Sequence, residues 1–171
     1  LTVTIDTSAP AAPSTPDLDA GSDSGDADDD DLTNDDTPTI SGTAEAGSTV
    51  ELFSDIDGSV GLTTADGSED WSLISNALTE GPQSLTATAT DAAGNTSAAS
   101  SALAVTIDTS APPAPSIPIL DAGSDSGSFN DDNVTNQTTP TVAGTADLGS
   151  TVSITSDIDG LVGSDTANPL T

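Results

Sequence analysis

The sequence has no basic side chain. Its 171 residues include no lysine, arginine or histidine, while 29 are aspartate or glutamate, so the formal net charge is −29. Nucleic acid and anionic membrane surfaces are excluded as partners, because binding to either needs cationic side chains that displace counter-ions. Self-repulsion on this scale also opposes a compact fold unless counter-ions neutralise it.

Cysteine is also absent, and aromatic residues make up only 2% of the chain. No disulfide can therefore staple the fold, and without lysine no amide cross-link to asparagine can form. The residue types that remain are poorly suited to catalysis, because the serines lack a base and a carboxylate pair would need an apolar wall to raise one pKa. We expect a protein that is not an enzyme, and any cross-link in it to be a cation.

What the sequence does have is an internal repeat. Residues 1–69 align with residues 103–171 at a constant offset of 102 positions, and 44 of these 69 pairs are identical. The segment Val3–Pro10 returns unchanged as Val105–Pro112. A unit of this length is too long for a solenoid repeat and indicates a tandem array of domains.

The offset also predicts the domain boundaries. We expect residues 1–9 to be the last strand and linker of a preceding repeat, residues 10–111 to be a complete repeat, and residues 112–171 to be the N-terminal part of a second, truncated repeat. The junction Ser110–Pro115 is rich in proline. Because proline fixes φ and removes a backbone donor, this junction is predicted to be a short, stiff spacer.

Alternating apolar and polar residues predict the fold class. In Leu85–Thr90 and in Leu103–Ile107 every second side chain is apolar. Such runs, rich in Thr and Val and separated by turn residues at intervals of about 8–12 positions, are typical of an antiparallel β-sandwich. High charge with 33% apolar residues would also fit a disordered chain, but the regular alternation argues against disorder. The predicted class is all-β.

Seven strands are predicted for the complete repeat. They are Pro13–Asp19, Thr37–Ala44, Thr49–Ser54, Val60–Ala65, Trp71–Ile74, Leu85–Thr90 and Ala102–Thr109. An acidic loop, residues 20–34, follows the first strand, and turns are predicted at Glu45–Ser48, Asp55–Gly58 and Asp91–Asn95. Trp71 is assigned to the core rather than to an exposed platform for carbohydrate.

The acidic loop predicts a site for a hard divalent cation. Calcium takes six to eight oxygens from carboxylates, amides and backbone carbonyls on irregular loops, and aspartate suits such loops because it tolerates turn geometry. The alternative is a solvated acidic surface, as in a halophilic or marine protein.

Comparing the two copies separates candidate ligands from ordinary charge. The second copy replaces Asp26, Asp28, Asp31, Asp35 and Asp36 by Ser128, Asn130, Asn133, Gln137 and Thr138. A spaced subset is kept, and we predict that it binds calcium. The kept residues are Asp19, Asp23, Asp29, Asp30, Asn34, Asp55 and Asp57, with the counterparts Asp121, Asp125, Asp131, Asp132, Asn136, Asp157 and Asp159.

Sandwich topology predicts where these acids meet. The acidic loop and the turn after the third strand are expected at the end where the last strand leaves the domain, beside Asp108 and facing Asp147 of the second repeat. The equivalent site shared with the preceding repeat is expected to contain Asp6, Glu45 and Asp91. The hypothesis is that calcium bridges the junctions and turns a flexible array into a rod. Asp91 fits a turn equally well, and Asp6 and Asp108 also fit simple strand ends.

The succession of motifs resembles a known family. Thr90–Ser100 (TDAAGNTSAAS), the VTIDTSAP segment, Thr37–Leu52 (TPTISGTAEAGSTVEL) and Trp71 before the penultimate hairpin are similar to the immunoglobulin-like extender repeats of giant bacterial surface adhesins of the RTX type. The resemblance covers essentially the whole chain. It implies tandem immunoglobulin-like sandwiches, calcium near the domain junctions, and a secreted or cell-surface protein that holds a distal ligand-binding domain away from the cell.

The expected function is therefore a structural extender that supports adhesion or biofilm formation. Its expected partners are the neighbouring repeats of the same chain, and no direct insertion into a membrane is expected. One alternative is a self-assembling surface-layer or fibre subunit, in which another chain completes the second repeat. Another is a glycan- or cell-binding module, although such a module would need exposed aromatic residues.

Overall fold

The computed structural model describes residues 1–24, 27, 29–129 and 131–168. Asp26, Asp28 and Asn130, which enter the comparison of the two copies, lie outside this range. The chain divides into two compact units, Leu1–Ser110 and Ala111–Thr171. The described residues form strands, turns and irregular segments, and none of them belongs to an apolar helix of the length that a membrane span requires.

The first unit is a sandwich of two sheets. Its strands are β1 (Asp17–Leu18), β2 (Leu32–Thr33), β3 (Thr39–Thr43), β4 (Thr49–Ser54), β5 (Gly58–Thr64), β6 (Asp70–Ile74), β7 (Gly81–Thr90) and β8 (Leu103–Ile107). One sheet has the order β1-β3-β6 and the other the order β2-β8-β7-β4-β5. The pairs are antiparallel except for β2, which runs parallel to β8. This is an immunoglobulin-like arrangement, and it confirms the predicted all-β sandwich.

Alternation along the strands builds the core between the two sheets. Because successive side chains of a strand point to opposite faces, β4 buries Val50 and Leu52, and β7 buries Leu85. Trp71 is only 3% exposed, as predicted for a core residue. Its ring packs so closely on β3 that a Cβ added to Gly42 would lie 2.8 Å from Trp71 Cζ2.

The structure corrects several predicted strand boundaries. The first strand shrinks to β1, since the prolines before it lack backbone donors, and residues 1–9 form no strand. β7 begins at Gly81 rather than at the predicted Leu85. The sequence pattern does not reveal this start, because Gln83 is a polar residue at a buried, inward position and interrupts the alternation of apolar and polar side chains. β2 lies inside the predicted acidic loop, and its two residues are too few to show a period.

The second unit repeats the first part of this architecture. Its strands are β9 (Ile119–Leu120), β10 (Val142–Ala143), β11 (Thr151–Ser156) and β12 (Gly160–Thr166). β9 pairs with β10 and β11 with β12, both antiparallel, as β1 pairs with β3 and β4 with β5. Even the irregularity in the hairpin recurs, between Leu52 and Phe53 in the first unit and between Ile154 and Thr155 in the second.

Candidate cation site

The acidic loop of the first unit brings carboxylates close together. The pKa of Asp31 is raised, first by burial and then by the negative charges of Asp23, Asp17, Asp30 and Asp29, in that order. The sequence has no cationic side chain that could offset this repulsion. A bound cation would offset it, because an opposite charge nearby favours the ionised form of a carboxyl group.

Asp23 is the best-placed candidate ligand of this loop. Its Oδ2 accepts a hydrogen bond from the backbone N–H of Asp31 at 3.3 Å, and its Oδ1 is buried without a hydrogen-bond partner among the residues that the structure describes. Asp31 has φ = 57°, a conformation that is uncommon for a residue with a Cβ. A buried acceptor without a hydrogen-bond partner lowers the stability of the fold. A cation bound at Asp23 Oδ1 would therefore stabilise the loop most.

The second unit reproduces the same arrangement around Asp125. Its Oδ2 accepts from the backbone N–H of Asn133 at 3.1 Å, and its Oδ1 is likewise buried with no hydrogen-bond partner in the described part of the loop. Asn133 replaces Asp31 and has φ = 60°. The backbone of this position therefore shapes the loop in both units, whether or not the side chain carries a charge.

The other kept residues of the loop lie around Asp23 and help to fold it. Asp19 Oδ1 accepts from Gly21 N at 2.9 Å, and Asp30 Oδ1 accepts from Leu32 N at 3.2 Å. The counterparts Asp121 and Asp132 make the same two bonds to Gly123 and Val134. The backbone N–H groups of Asn34 and Asn136 each donate to a serine hydroxyl at 2.8 Å, and Asp29 and Asp131 are exposed.

The loop runs beside the end of β8, as the topology predicts. The backbone N–H of Thr106 donates to the carbonyl of Asp31, and that of Asp108 donates to the carbonyl of Thr33, both at 2.8 Å. The Asp108 carboxylate accepts from Ser110 N at 3.1 Å. Whether Asp108 shares a cation with the loop stays a prediction.

The turn after β4 has a structural role of its own. Both oxygens of Asp57 accept hydrogen bonds, from the N–H and hydroxyl of Thr79 and from the side chain of Gln83, at 2.7–2.9 Å. The Thr79 hydroxyl is the largest cause of the lowered pKa of Asp57. Asp55 Oδ1 accepts from Ser84 N at 2.8 Å. These bonds compete with metal ligation. Asp55 and Asp57 are exposed, and so are their counterparts Asp157 and Asp159.

At the opposite end of the unit, Asp91 and Asp6 come together through Asn95. The side-chain nitrogen of Asn95 donates to Asp91 Oδ2 at 2.8 Å and to the backbone carbonyl of Asp6 at 3.2 Å. Glu45 is exposed and begins a turn in which Ser48 N donates to its carbonyl; Asp147 begins the equivalent turn with Ser150. In this group Asp91 is a turn residue, which was one of its two predicted roles.

Glu80 is a functional candidate that the sequence comparison missed. Its carboxylate accepts from the backbone N–H and hydroxyl of Thr109 and from the hydroxyl of Ser110, the last at 2.9 Å. The Thr109 hydroxyl is the largest cause of the lowered pKa of Glu80, followed by the Ser110 hydroxyl. Comparison of the two copies could not find Glu80, because the second copy does not extend to its counterpart in this chain.

Within the part of the chain that the structure describes, no three acidic side chains are arranged as a ready metal site. Calcium binding in the loop would therefore need carbonyl, amide or water oxygens beside the carboxylates, which calcium commonly accepts. The metal ligands named from the sequence thus stay a prediction, with Asp23 and Asp125 as its best-supported members.

Comparison with known proteins bears on the fold. A family model described as a bacterial Ig-like domain matches residues 9–109 and 111–169. No curated protein sequence matches the chain. A solved structure described as "Biofilm associated protein - BSP domain" is similar to 63% of this chain, with 27% sequence identity and a TM-score of 0.41. The matched region is only 16% of the length of that structure.

Proposed function

The chain belongs to the bacterial Ig-like domain family, and from this membership we propose that it is an extender segment of a secreted or cell-surface adhesin of the RTX type. Successive sandwiches would project a distal adhesive domain and so support cell adhesion or biofilm formation. The observation that carries the proposal is the tandem repeat itself, since two consecutive stretches match the same family. A proline-rich junction connects them, and the sequence lacks the histidine, cysteine, lysine, arginine and tyrosine side chains on which much enzyme chemistry relies.

We further propose that calcium stiffens this array. The support is electrostatic: the Asp31 pKa is raised by burial and by surrounding acids, and Asp23 and Asp125 each keep a buried oxygen that no described residue hydrogen-bonds. The proposed calcium acts at the junctions between repeats, where Asp108 of one repeat and Asp147 of the next are the predicted ligands. Asp57 and Asp91 are the weakest members of the predicted set, because hydrogen bonds already occupy their oxygens.

The expected affinity suits a protein that works outside the cell. Extracellular calcium modules bind with dissociation constants of about 10⁻⁴–10⁻³ M, so such sites fill in the external medium and are empty in the cytosol. At free calcium about 100-fold above the dissociation constant, each site stabilises the fold by roughly 2.7 kcal/mol. That is a large fraction of a domain's stability of about 5–15 kcal/mol.

Small-angle scattering of the full chain in calcium and in chelator tests the proposal. We expect a longer and narrower distance distribution in calcium, and we expect the double variant Asp23→Asn/Asp125→Asn to lose this response. The matched control is Asp70→Asn/Asp165→Asn, which removes the same charge from both units outside the loop. A distribution that ignores chelator in the wild type would contradict calcium stiffening.

The two alternative functions predict different experimental results. For a fibre subunit, the mass in solution should grow with concentration, and measurements with calcium and with chelator would detect that growth. For a glycan-binding module, a reproducible hit on a glycan array is expected. Either result would replace the extender proposal.

A further inference from the structure

We propose that the loop between β7 and β8, Asp91–Asn95, is the surface on which each repeat receives the end of the preceding repeat, through a hydrogen bond from the Asn95 side chain that needs no metal. The partner is a second copy of the segment that ends this repeat, Leu103–Ser110. This inference rests on the proposed function, because it takes the repeats to follow one another as in an array.

The first residues of the chain carry the sequence of the partner segment, although they do not form its strand. Leu1–Ser8 is the counterpart of Leu103–Ser110 at the offset of 102 and differs from it only at Thr2. In the structure, the carbonyl of Asp6 accepts a hydrogen bond from the Asn95 side chain at 3.2 Å, across 89 positions of sequence. Pro10 is buried in the same unit. The stretch from Asp6 to Pro10 is thus attached to the sandwich at both of its ends.

Asn95 is oriented before it meets this segment. Its side-chain nitrogen also donates to Asp91 Oδ2, and its backbone N–H donates to Asp91 Oδ1, both at 2.8 Å. The backbone N–H of Asp91 donates in turn to the carbonyl of Asn95 at 3.1 Å, and Gly94 turns the chain with φ = 91°. Little conformational freedom remains to be lost on docking, so Asp91 is a positioning residue for Asn95.

The partner segment has a fixed shape as well. Asp6 Oδ1 accepts from Ser8 N at 3.0 Å, and Asp108 Oδ1 accepts from Ser110 N at 3.1 Å. The same short turn therefore follows the aspartate in both copies. Since the turn sets the backbone direction at the aspartate, each repeat ends with a carbonyl presented in the same way.

The repeat also holds its own end. Glu80 accepts from the N–H and hydroxyl of Thr109 and from the hydroxyl of Ser110, so the two residues after Asp108 are fixed to the loop that precedes β7. In an array, each linker would be held by Glu80 of the repeat before it and by the counterpart of Asn95 in the repeat after it. Neither contact involves a cation.

Backbone relaxation of the isotope-labelled full chain in chelator tests the proposal. In the wild type we expect Asp6, Thr7 and Ser8 to be ordered, with order parameters closer to about 0.85 than to the flexible range below about 0.6. Asn95→Ala should move these three residues into the flexible range and leave Thr109 and Ser110 ordered. Glu80→Ala should do the reverse.

Two further variants keep the test sharp. Asn76→Ala is the matched control, because Asn76 is exposed and makes its hydrogen bond to Val60 through the backbone, and it should change neither segment. Asn95→Asp keeps the size of the side chain, replaces its donor by an acceptor and adds a charge beside Asp91, so it should release Asp6–Ser8 as Asn95→Ala does. Asp6–Ser8 flexible in the wild type, or ordered in both Asn95 variants, would overturn the proposal.

The outcome is separable from the calcium proposal. If scattering ignores calcium while Asn95→Ala still releases Asp6–Ser8 in chelator, calcium stiffening fails and the docking surface stands. If scattering responds to calcium and the Asn95 variants change nothing, the docking surface fails and calcium stiffening stands.

Discussion

The strands that the two units share are buried very differently. Ile40 is fully buried in the first unit, whereas its counterpart Val142 is 36% exposed; Val60 is 1% exposed and Val162 is 56% exposed. The pairing of the strands is the same in both units. In the first unit β6, β7 and β8 complete the two sheets, and residues 111–171 contain no counterpart of these three strands. Local pairing is thus a property of the first half of a repeat, and burial depends on the second half.

The prolines at the start of each repeat show the same difference in burial. Pro10 and Pro13 are buried in the first unit, while Pro112 and Pro115 are exposed in the second. The local sequence is almost unchanged between the copies. The N-terminal segment of a repeat therefore packs only where a complete sandwich is present to receive it.

The largest loss of stability is expected from Gly42→Ala, which tests the difference in burial between the two units. A Cβ at Gly42 would lie 2.8 Å from Trp71 Cζ2 and 2.9 Å from Ser14 Oγ, so the buried ring or the strand must shift. Overpacking of this kind costs about 1–3 kcal/mol. The loss should appear in urea unfolding monitored by the fluorescence of Trp71, the only tryptophan.

Gly144→Ala is the control for this variant, because it makes the same change at the matching position of the second unit. There the nearest atom to an added Cβ is the hydroxyl oxygen of Ser116, at 3.1 Å, and the next is the Ser116 carbonyl oxygen, at 3.9 Å. We expect little loss of stability from Gly144→Ala. Equal losses in both variants would mean that the packing of Trp71 on Gly42 does not distinguish the units.

A smaller effect is expected from Asp31→Asn, which gives the first unit the residue of the second. Because burial and neighbouring acids raise the Asp31 pKa, the folded wild type binds this proton more tightly than the unfolded chain does. Its free energy of unfolding should therefore rise as the pH falls through the raised pKa toward the ordinary carboxyl value of about 4. The variant should be more stable than the wild type at pH 7 in chelator, and this difference should shrink as the pH falls.

At lower pH the free energy of unfolding should instead fall with falling pH, in both the wild type and Asp31→Asn. The pKa values of Asp57, Glu80 and Asp91 are lowered by the donors that they accept from. Their stabilisation is present above the ordinary carboxyl pKa of about 4 and is lost as the pH falls through the lowered values. Denaturant unfolding of wild type, Asp31→Asn and the control Asp36→Asn across pH 3–7 measures both effects. A difference between wild type and Asp31→Asn that does not change with pH would contradict the role of Asp31.

The strands with regular alternation could be predicted from the sequence. The structure places β4 at Thr49–Ser54, as predicted, because the inward Val50 and Leu52 alternate with the outward Thr49 and Glu51. The start of β7 could not be found in this way, since the buried Gln83 obtains its partners from Ser54 and Asp57, which are distant in sequence. Periodicity detects only burial that is apolar.

The candidate site was predictable to a similar degree. Comparing the copies selects Asp23 and Asp125. In each of these residues Oδ1 is buried and has no hydrogen-bond partner among the described residues. It could not show that hydrogen bonds from Thr79 and Asn95 occupy Asp57 and Asp91, nor that Glu80 holds residues 29 and 30 positions away. These roles arise from contacts between loops, which leave no local pattern in the sequence.

Calorimetric titration of the full chain with calcium tests the central claim most directly. If the acidic loops bind calcium, the wild type should bind with a dissociation constant of about 10⁻⁴–10⁻³ M, and Asp23→Asn/Asp125→Asn should lose this binding while Asp70→Asn/Asp165→Asn retains it. Undiminished binding in the Asp23→Asn/Asp125→Asn variant, or no binding by the wild type at millimolar calcium, would contradict the account.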